Sequence, residues 1–289
     1  MRSHVRRQAS KIGLALALVA LGLAGACDGP PAGSPPQGPA PAAAAAIRRV
    51  EDRSLAADEY VALGVPSYDR GWLADDMSRA ASVLAAQNPA TLPRYGSARS
   101  GAVFDRIVSA DNLRPLRDRS IAINLRLPQA ATLQQSLNQL TKTYLAAYAA
   151  GGVGGDELVE LSGAVLRSSR EVFELAEEFM GTLSPTDPKY AARMHGLETV
   201  RQGMAQIVSG TLTTLGEAAV YSVEARVRLV GYCRETLPYM VAHLSPPSKA
   251  EVLSRLDRMV ADPGMQALRP HTDRLRDEVR SGQPPPPAV

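Results

Sequence analysis

Few residues in this chain have the type and spacing that catalysis or metal binding needs. Beyond residue 4 the histidines are His195, His243 and His271, and none falls into a recognised ligand pattern with another residue. There is no H-E-x-x-H, G-x-S-x-G, S-x-x-K or Walker A pattern, the motifs that place a zinc ligand set, a nucleophile or a phosphate cradle. Each histidine therefore reads as a surface or satisfied core residue. Cys233 lies between Tyr232 and Arg234; it reads as a buried thiol, although a neighbouring guanidinium could activate it. Glu171, Glu174, Glu177 and Glu178 put four carboxylates on neighbouring turns. Without an E-x-x-H beside them they read as a solvated helix face, so no metal and no other cofactor is expected.

The strongest candidate is an anion site. Arg94, Tyr95, Ser97, Arg99 and Ser100 surround Gly96 and Gly101, just ahead of a short apolar run with Val103, Phe104 and Ile107. Donors gathered before a helix N-terminus can hold a phosphate or carboxylate, and Ser100 is the expected N-cap. Arg114, Arg117 and Arg119 follow. The competing reading is a polar loop whose arginines pair with Asp105, Asp111 and Asp118. The cluster Gly151–Gly155 contains G-x-G but follows a helical pattern, so it is not a dinucleotide fingerprint.

The elements that must position these residues are helical. Residues 47–63 read as a charged helix ended by Gly64-Val65-Pro66. Trp72, Leu73, Met77, Ala80, Ala81 and Leu84 make an amphipathic helix stopped at Asn88-Pro89. Ile121, Ile123, Leu125 and Leu127 alternate with other residues, a run with no partner strand that reads as an extended or helical connector. From Pro128 one helix carries Leu133, Leu137, Leu140, Tyr144 and Tyr148; Asp156 opens the next, with Leu158, Leu161, Val165, Val172, Ala176, Phe179 and Leu183 inward.

Asp187-Pro188 then caps a long helix expected to reach about Gly231, bent near Gly216. Val200, Met204, Ile207, Thr211, Leu215 and Ala218 share its apolar arc, and Gln202, Gln206, Ser209, Thr213, Glu217 and Glu224 the opposite one. Gly196, Gly203 and Gly210 recur every seven residues along the edge of the apolar arc. Each costs ~1 kcal/mol against alanine, which close approach of a neighbouring helix would offset. This predicts the central helix of a bundle. Arg201, Glu217 and Glu224 exclude a membrane-inserted hairpin. Pro238 is expected to break the run, Ser248 and Glu251 to form a capping box, and Asp262-Pro263 to start a last piece interrupted by Pro270. The fold class is all-α, an irregular multi-helix bundle over residues 47–282, followed by a proline tail at 283–289.

The N-terminus gives the address. Arg2, Arg6, Arg7 and Lys11 precede the uncharged run Ile12 to Leu23, and Ala24-Gly25-Ala26 leads up to Cys27. That is the order of a secretory signal at residues 1–26. The small residues before the cysteine resemble the lipobox of bacterial lipoproteins, with Ala24 where that family usually has leucine. The resemblance implies cleavage before Cys27 and a lipid on its thiol; the alternative is an ordinary signal that leaves Cys27 free. Residues 28–46 hold six prolines and seven alanines with one charge, a composition that cannot bury a core. As a tether from Cys27 it reaches on the order of 60 Å. In lipoproteins of enteric bacteria an aspartate after the cysteine keeps the protein at the inner membrane. Asp28 stands there, and the choice of membrane is left open.

The formal charge of +3 belongs to the signal. Removing its four basic residues leaves 28 basic against 29 acidic, net −1, which removes the electrostatic case for nucleic acid. With Cys27 lipidated, Cys233 has no cysteine partner. The sequence thus reads as an envelope lipoprotein, held to a membrane through its lipid, whose helical domain is an interaction or scaffold module for a protein partner and not an enzyme. The alternatives are a module holding a small molecule or anion near Arg94–Gly101, and an enzyme with an unrecognised site.

Overall fold

The computed structural model describes residues 50–218 and 220–282. The signal, Cys27, the tether and the proline tail lie outside them. Every regular element among the described residues is helical. These are α1 (Ala57–Ala62), α2 (Ala74–Ala85), α3 (Gly101–Val108), α4 (Ile123–Ala150), α5 (Gly155–Gly181), α6 (Tyr190–Gly216), α7 (Val223–Ala242), α8 (Pro246–Ala261) and α9 (Arg269–Ser281), with a single α-helical turn at Arg114–Arg117. Short 3-10 turns stand at Pro89–Thr91, Ala110–Leu113 and Pro263–Leu268.

The bundle is built around α5. It packs against α4, α6, α7 and α3, and every residue from 157 to 169 is buried. Sequence periodicity names only its apolar stripe, yet over residues 157–169 α5 is enclosed on all sides, so its polar residues there are buried too, while Arg170, Glu174 and Glu177 stay partly open. The helix expected at the centre, α6, is peripheral: His195 and Gly196 are exposed, and burial sets in toward Met204, Ile207 and Leu215. A Cβ built on Gly196 or Gly203 would meet nothing within 4 Å, so these two are not packing points; Gly210 is buried. Close approach occurs instead at Gly163 of α5, where a Cβ would lie 2.4 Å from the Tyr232 ring, and at Gly152, 2.4 Å from the Pro89 carbonyl oxygen.

Several boundaries differ from the sequence reading. In place of a helix from residue 47, residues 50–56 are non-helical and only α1 forms. The alternating run around Ile123 opens α4, with Pro128 inside; an early proline costs one carbonyl partner, Asn124, and that residue is exposed to water. The long helix does not bend at Gly216 but ends there. Ser222 caps α7, its Oγ accepting from the Ala225 amide at 3.0 Å. The buried Arg226 closes this corner, donating to the Leu215 carbonyl at 2.8 Å. Pro238 sits within α7 rather than breaking it. Ser245, not Ser248, caps α8, with Pro246 in its first turn. Asp187 accepts from the Lys189 amide at 2.7 Å, but α6 starts at Tyr190. Pro270 lies in the first turn of α9, where its missing amide is free of cost.

Candidate functional site

The anion that the Arg94–Ser100 loop holds belongs to the chain itself. Arg94 is buried, and its Nε donates to Glu157 Oε1 at 2.8 Å while Nη1 donates to the Gly152 carbonyl at 2.8 Å. The Tyr95 amide donates to the same carboxylate oxygen at 3.2 Å, and the Gly154 amide to Oε2 at 3.0 Å. Glu157 is thus the capping residue of α5 and the counter-ion of Arg94 at once. The Ser100 hydroxyl caps no amide of α3. It accepts from the Arg94 amide at 2.9 Å and donates to Ser54 Oγ at 2.8 Å. Ser54 donates in turn to Asp52 at 2.6 Å, and Ser97 donates to Asp52 from the other side, also at 2.6 Å. Burial would raise the Asp52 carboxyl, but the bonds from Ser54 and Ser97 outweigh it and hold the group below its ordinary value. The predicted donors are brought together, apart from the exposed Arg99, and two internal carboxylates satisfy them. Of the arginines that follow, Arg114 pairs with Asp111 as foreseen, while Arg117 reaches across to Glu171 on α5 at 2.6 Å.

Of the four glutamates on α5 only Glu171 leaves solvent; Glu174, Glu177 and Glu178 stay partly open, and all four have partners within the fold. Glu171 is buried against Arg117, Glu178 pairs with the buried Arg126 of α4 at 2.5 Å, and Glu174 pairs with Arg170. Glu177 accepts from the Tyr239 hydroxyl at 3.2 Å and lies 3.5 Å from His243 Nε2. Among the described residues no group of three or more His, Cys, Asp or Glu could hold a metal. Cys233 is fully buried, and burial pushes its thiol up to about 12. Arg234 spends its guanidinium on Glu278, at 2.6 and 2.8 Å, leaving the thiol protonated and inert. His195 and His271 are exposed.

What the fold assembles, unforeseen, is a seam along α5 and α7. On α7, residues 228, 232, 235 and 239 share one face; on α5, residues 156, 160, 163, 167, 170, 174 and 177 share the facing one. Arg228 donates to Glu160 at 2.7 Å and to Asp156 at 2.5 Å, and its guanidinium lies 4.8 Å over the Tyr95 ring. The Tyr232 hydroxyl donates to the other Glu160 oxygen, and Gly163 makes room for its ring. Arg167 stacks on Tyr232 at 4.7 Å and Arg170 on Tyr239 at 5.0 Å. Arg167 also donates to the Val108 carbonyl at 2.9 Å, and Glu235 lies 3.9 Å from it. Desolvation raises the Tyr232 phenol to about 12, with Glu160 adding to the effect, so it is a donor at neutral pH. Tyrosine and arginine alternate along the seam; Tyr95 is exposed, Arg170, Arg228, Tyr232 and Tyr239 are partly exposed, and Arg167 is buried.

The spacing of Arg228, Tyr232, Glu235 and Tyr239 was visible in the chain. Its pairing with α5 was not, because no sequence signal says which helices adjoin. A small recess between α2, α3, α4 and α5, lined by Asn112, Leu137 and Arg167 among others, has room only for a water-sized body. No protein-family model matches the chain, nor does any curated protein or solved structure. The functional reading therefore rests on these residues alone.

Proposed function

We propose that this is a lipid-anchored protein of the bacterial envelope whose helical domain docks a protein partner on the α5/α7 seam. The observation that carries the docking is the seam itself. Tyrosine and arginine dominate the centres of protein interfaces, because each offers a large planar contact area with a polar end. Here they alternate over about three turns of α7, from Arg228 to Tyr239, pre-ordered by their own stacking, so little side-chain entropy remains to be lost on binding. The address rests on the signal and on Cys27. The Arg94–Ser100 loop gives less support to an external anion, since an incoming phosphate would have to displace Glu157 from a buried ion pair.

Two measurements test the reading. Cys27→Ser should move the protein from the membrane to the soluble fraction, because one acyl-bearing residue is the anchor; a variant that still sediments after a high-salt wash would overturn the anchoring. A photo-reactive residue at the exposed Gly231 of α7 should yield a discrete cross-linked product in cells, absent when the same group replaces exposed Arg258 on α8. Equal labelling from both positions would remove the seam as the docking face.

A further inference from the structure

Most guanidinium groups withdrawn from water in this fold have a carboxylate within 4 Å, Arg94, Arg126, Arg170 and Arg228 among them. Among the described residues Arg106, Arg226 and Arg255 have none. Arg226 has its reason, since it meets the negative C-terminal end of α6. Arg106 is the single arginine of α3. Arg255 differs from both, because a second unpaired guanidinium shares its helix face.

Arg255 is half-buried on α8 and reaches across to α6. Its Nη1 donates to the Ser209 carbonyl at 3.0 Å and to Ser209 Oγ at 3.1 Å, and Nη2 donates to Thr213 Oγ1 at 2.6 Å. These bonds occupy the Nη1/Nη2 end of the fork and fix its orientation. The side edge, Nε with the second Nη2 hydrogen, has no acceptor among the described residues. That edge grips an oxyanion through two parallel bonds. Arg258 follows three residues later on the same face. It is exposed, its Nη1 donates to Ser254 Oγ at 2.8 Å, and no carboxylate among the described residues pairs with it. Asp257 is spent on Arg280, and the exposed Glu251, one turn before Arg255, makes no ion pair with either arginine. Burial, and then the Arg258 charge, pull the Arg255 guanidinium below its ordinary value, with Glu251 opposing them. A neutral donor would tether α8 to Ser209 and Thr213 without the cost of half-burying an uncompensated charge.

We propose that Arg255 and Arg258 form a binding site for a phosphoryl group, carried by a soluble phosphate compound or by the headgroup of an anionic phospholipid. Two phosphoryl oxygens take the side edge of Arg255 and a third takes Arg258. A carboxylate, with two oxygens, would satisfy one guanidinium and leave the other unpaired. The site stands on α6 and α8 and does not rest on the docking reading of the α5/α7 seam.

The test titrates the mature full chain, in non-ionic detergent and at constant ionic strength, in a calorimeter. The probes are inorganic phosphate, dihexanoylphosphatidylglycerol below its micelle concentration, and acetate. Arg258→Gln, which leaves the tether to α6 untouched, should weaken phosphoryl binding about tenfold or more. Arg255→Lys keeps the charge without the fork and should weaken it as much. Removing two exposed arginines elsewhere, Arg79→Gln with Arg119→Gln, should change it less than about twofold. Binding of inorganic phosphate supports the site with a soluble source, and binding of the lipid alone supports it with a headgroup. No binding of either probe, acetate bound as tightly as phosphate, or an equal loss in the control pair would overturn the proposal. Circular dichroism melts show whether Arg255→Lys folds. If it does not, Arg258→Gln decides alone, since that side chain touches only Ser254.

Discussion

At Glu157 one carboxylate is asked to serve three donors, the Arg94 guanidinium and the amides of Tyr95 and Gly154. Both side chains are almost wholly buried, so removing one leaves a charge in a medium that cannot solvate it. Arg94→Ala is therefore expected to cost about 3–5 kcal/mol of stability, read as a lowered urea midpoint with an unchanged slope. A loss below about 1 kcal/mol, the scale of an exposed pair, would mean that the loop is solvated. Asp52 sits in a more open version of the same arrangement. Its carboxyl is held below the ordinary 3.8, so the ion contributes stability above that value, and the contribution is lost as pH falls through the depressed one. The Ser54 amide, bonded to Asp52 at 3.0 Å, should keep its hydrogen-exchange protection at pH 5. It should lose it there in Asp52→Ala, which removes the acceptor; protection that survives in the variant would show that other contacts hold residues 50–56.

Among the helices, glycine separates two kinds of position. Gly203 lies in the interior of α6 with open space beside it, so Gly203→Ala should raise stability by up to about 1 kcal/mol of helix propensity. Gly163 in α5 has the Tyr232 ring where a methyl would go. There the gain in propensity is overtaken by a clash in a packed seam, and Gly163→Ala should cost about 1–3 kcal/mol. Thermal melts of the two variants beside the wild type decide this, and midpoints that move in the same direction would refute the assignment of α5 as the enclosed helix.

For the molecule as a whole, α5 ties the two halves of the chain together. It packs on α4 and α3 from the N-terminal half and on α6 and α7 from the C-terminal half, with ion pairs to Arg94, Arg117, Arg126 and Arg228. Such a core should unfold in one step. Trp72, the single tryptophan, is buried among the N-terminal helices, its indole N–H donating to the Ser67 carbonyl at 2.8 Å. Its fluorescence should follow the same urea transition as far-UV circular dichroism, which reports all the helices. Two separated transitions would mean that the halves fold independently.

The sequence by itself determined that the domain is helical, since apolar residues recur at three and four and the one alternating run has no mate. It also determined much of the apolar core, from Met77, Ala81 and Leu84 to Leu133, Leu137 and Leu140, although Leu73 and Ala218, read onto the same kind of face, are exposed, and where the loop of Arg94, Ser97 and Ser100 falls. Those features depend on neighbours along the chain. The tertiary structure alone decided which carboxylates that loop would hold, because Glu157 arrives from 63 residues away. It also decided that α5 and not α6 is central: a period marks the apolar side of a helix but not how many neighbours enclose it. The break after Gly216 and the unbroken passage through Pro238 have the same origin. Arg226 and Ser222 supply partners for the ends at the first, and helix packing encloses Pro238 at the second. A local signal says where a helix can stop, and only the surrounding contacts settle whether it does.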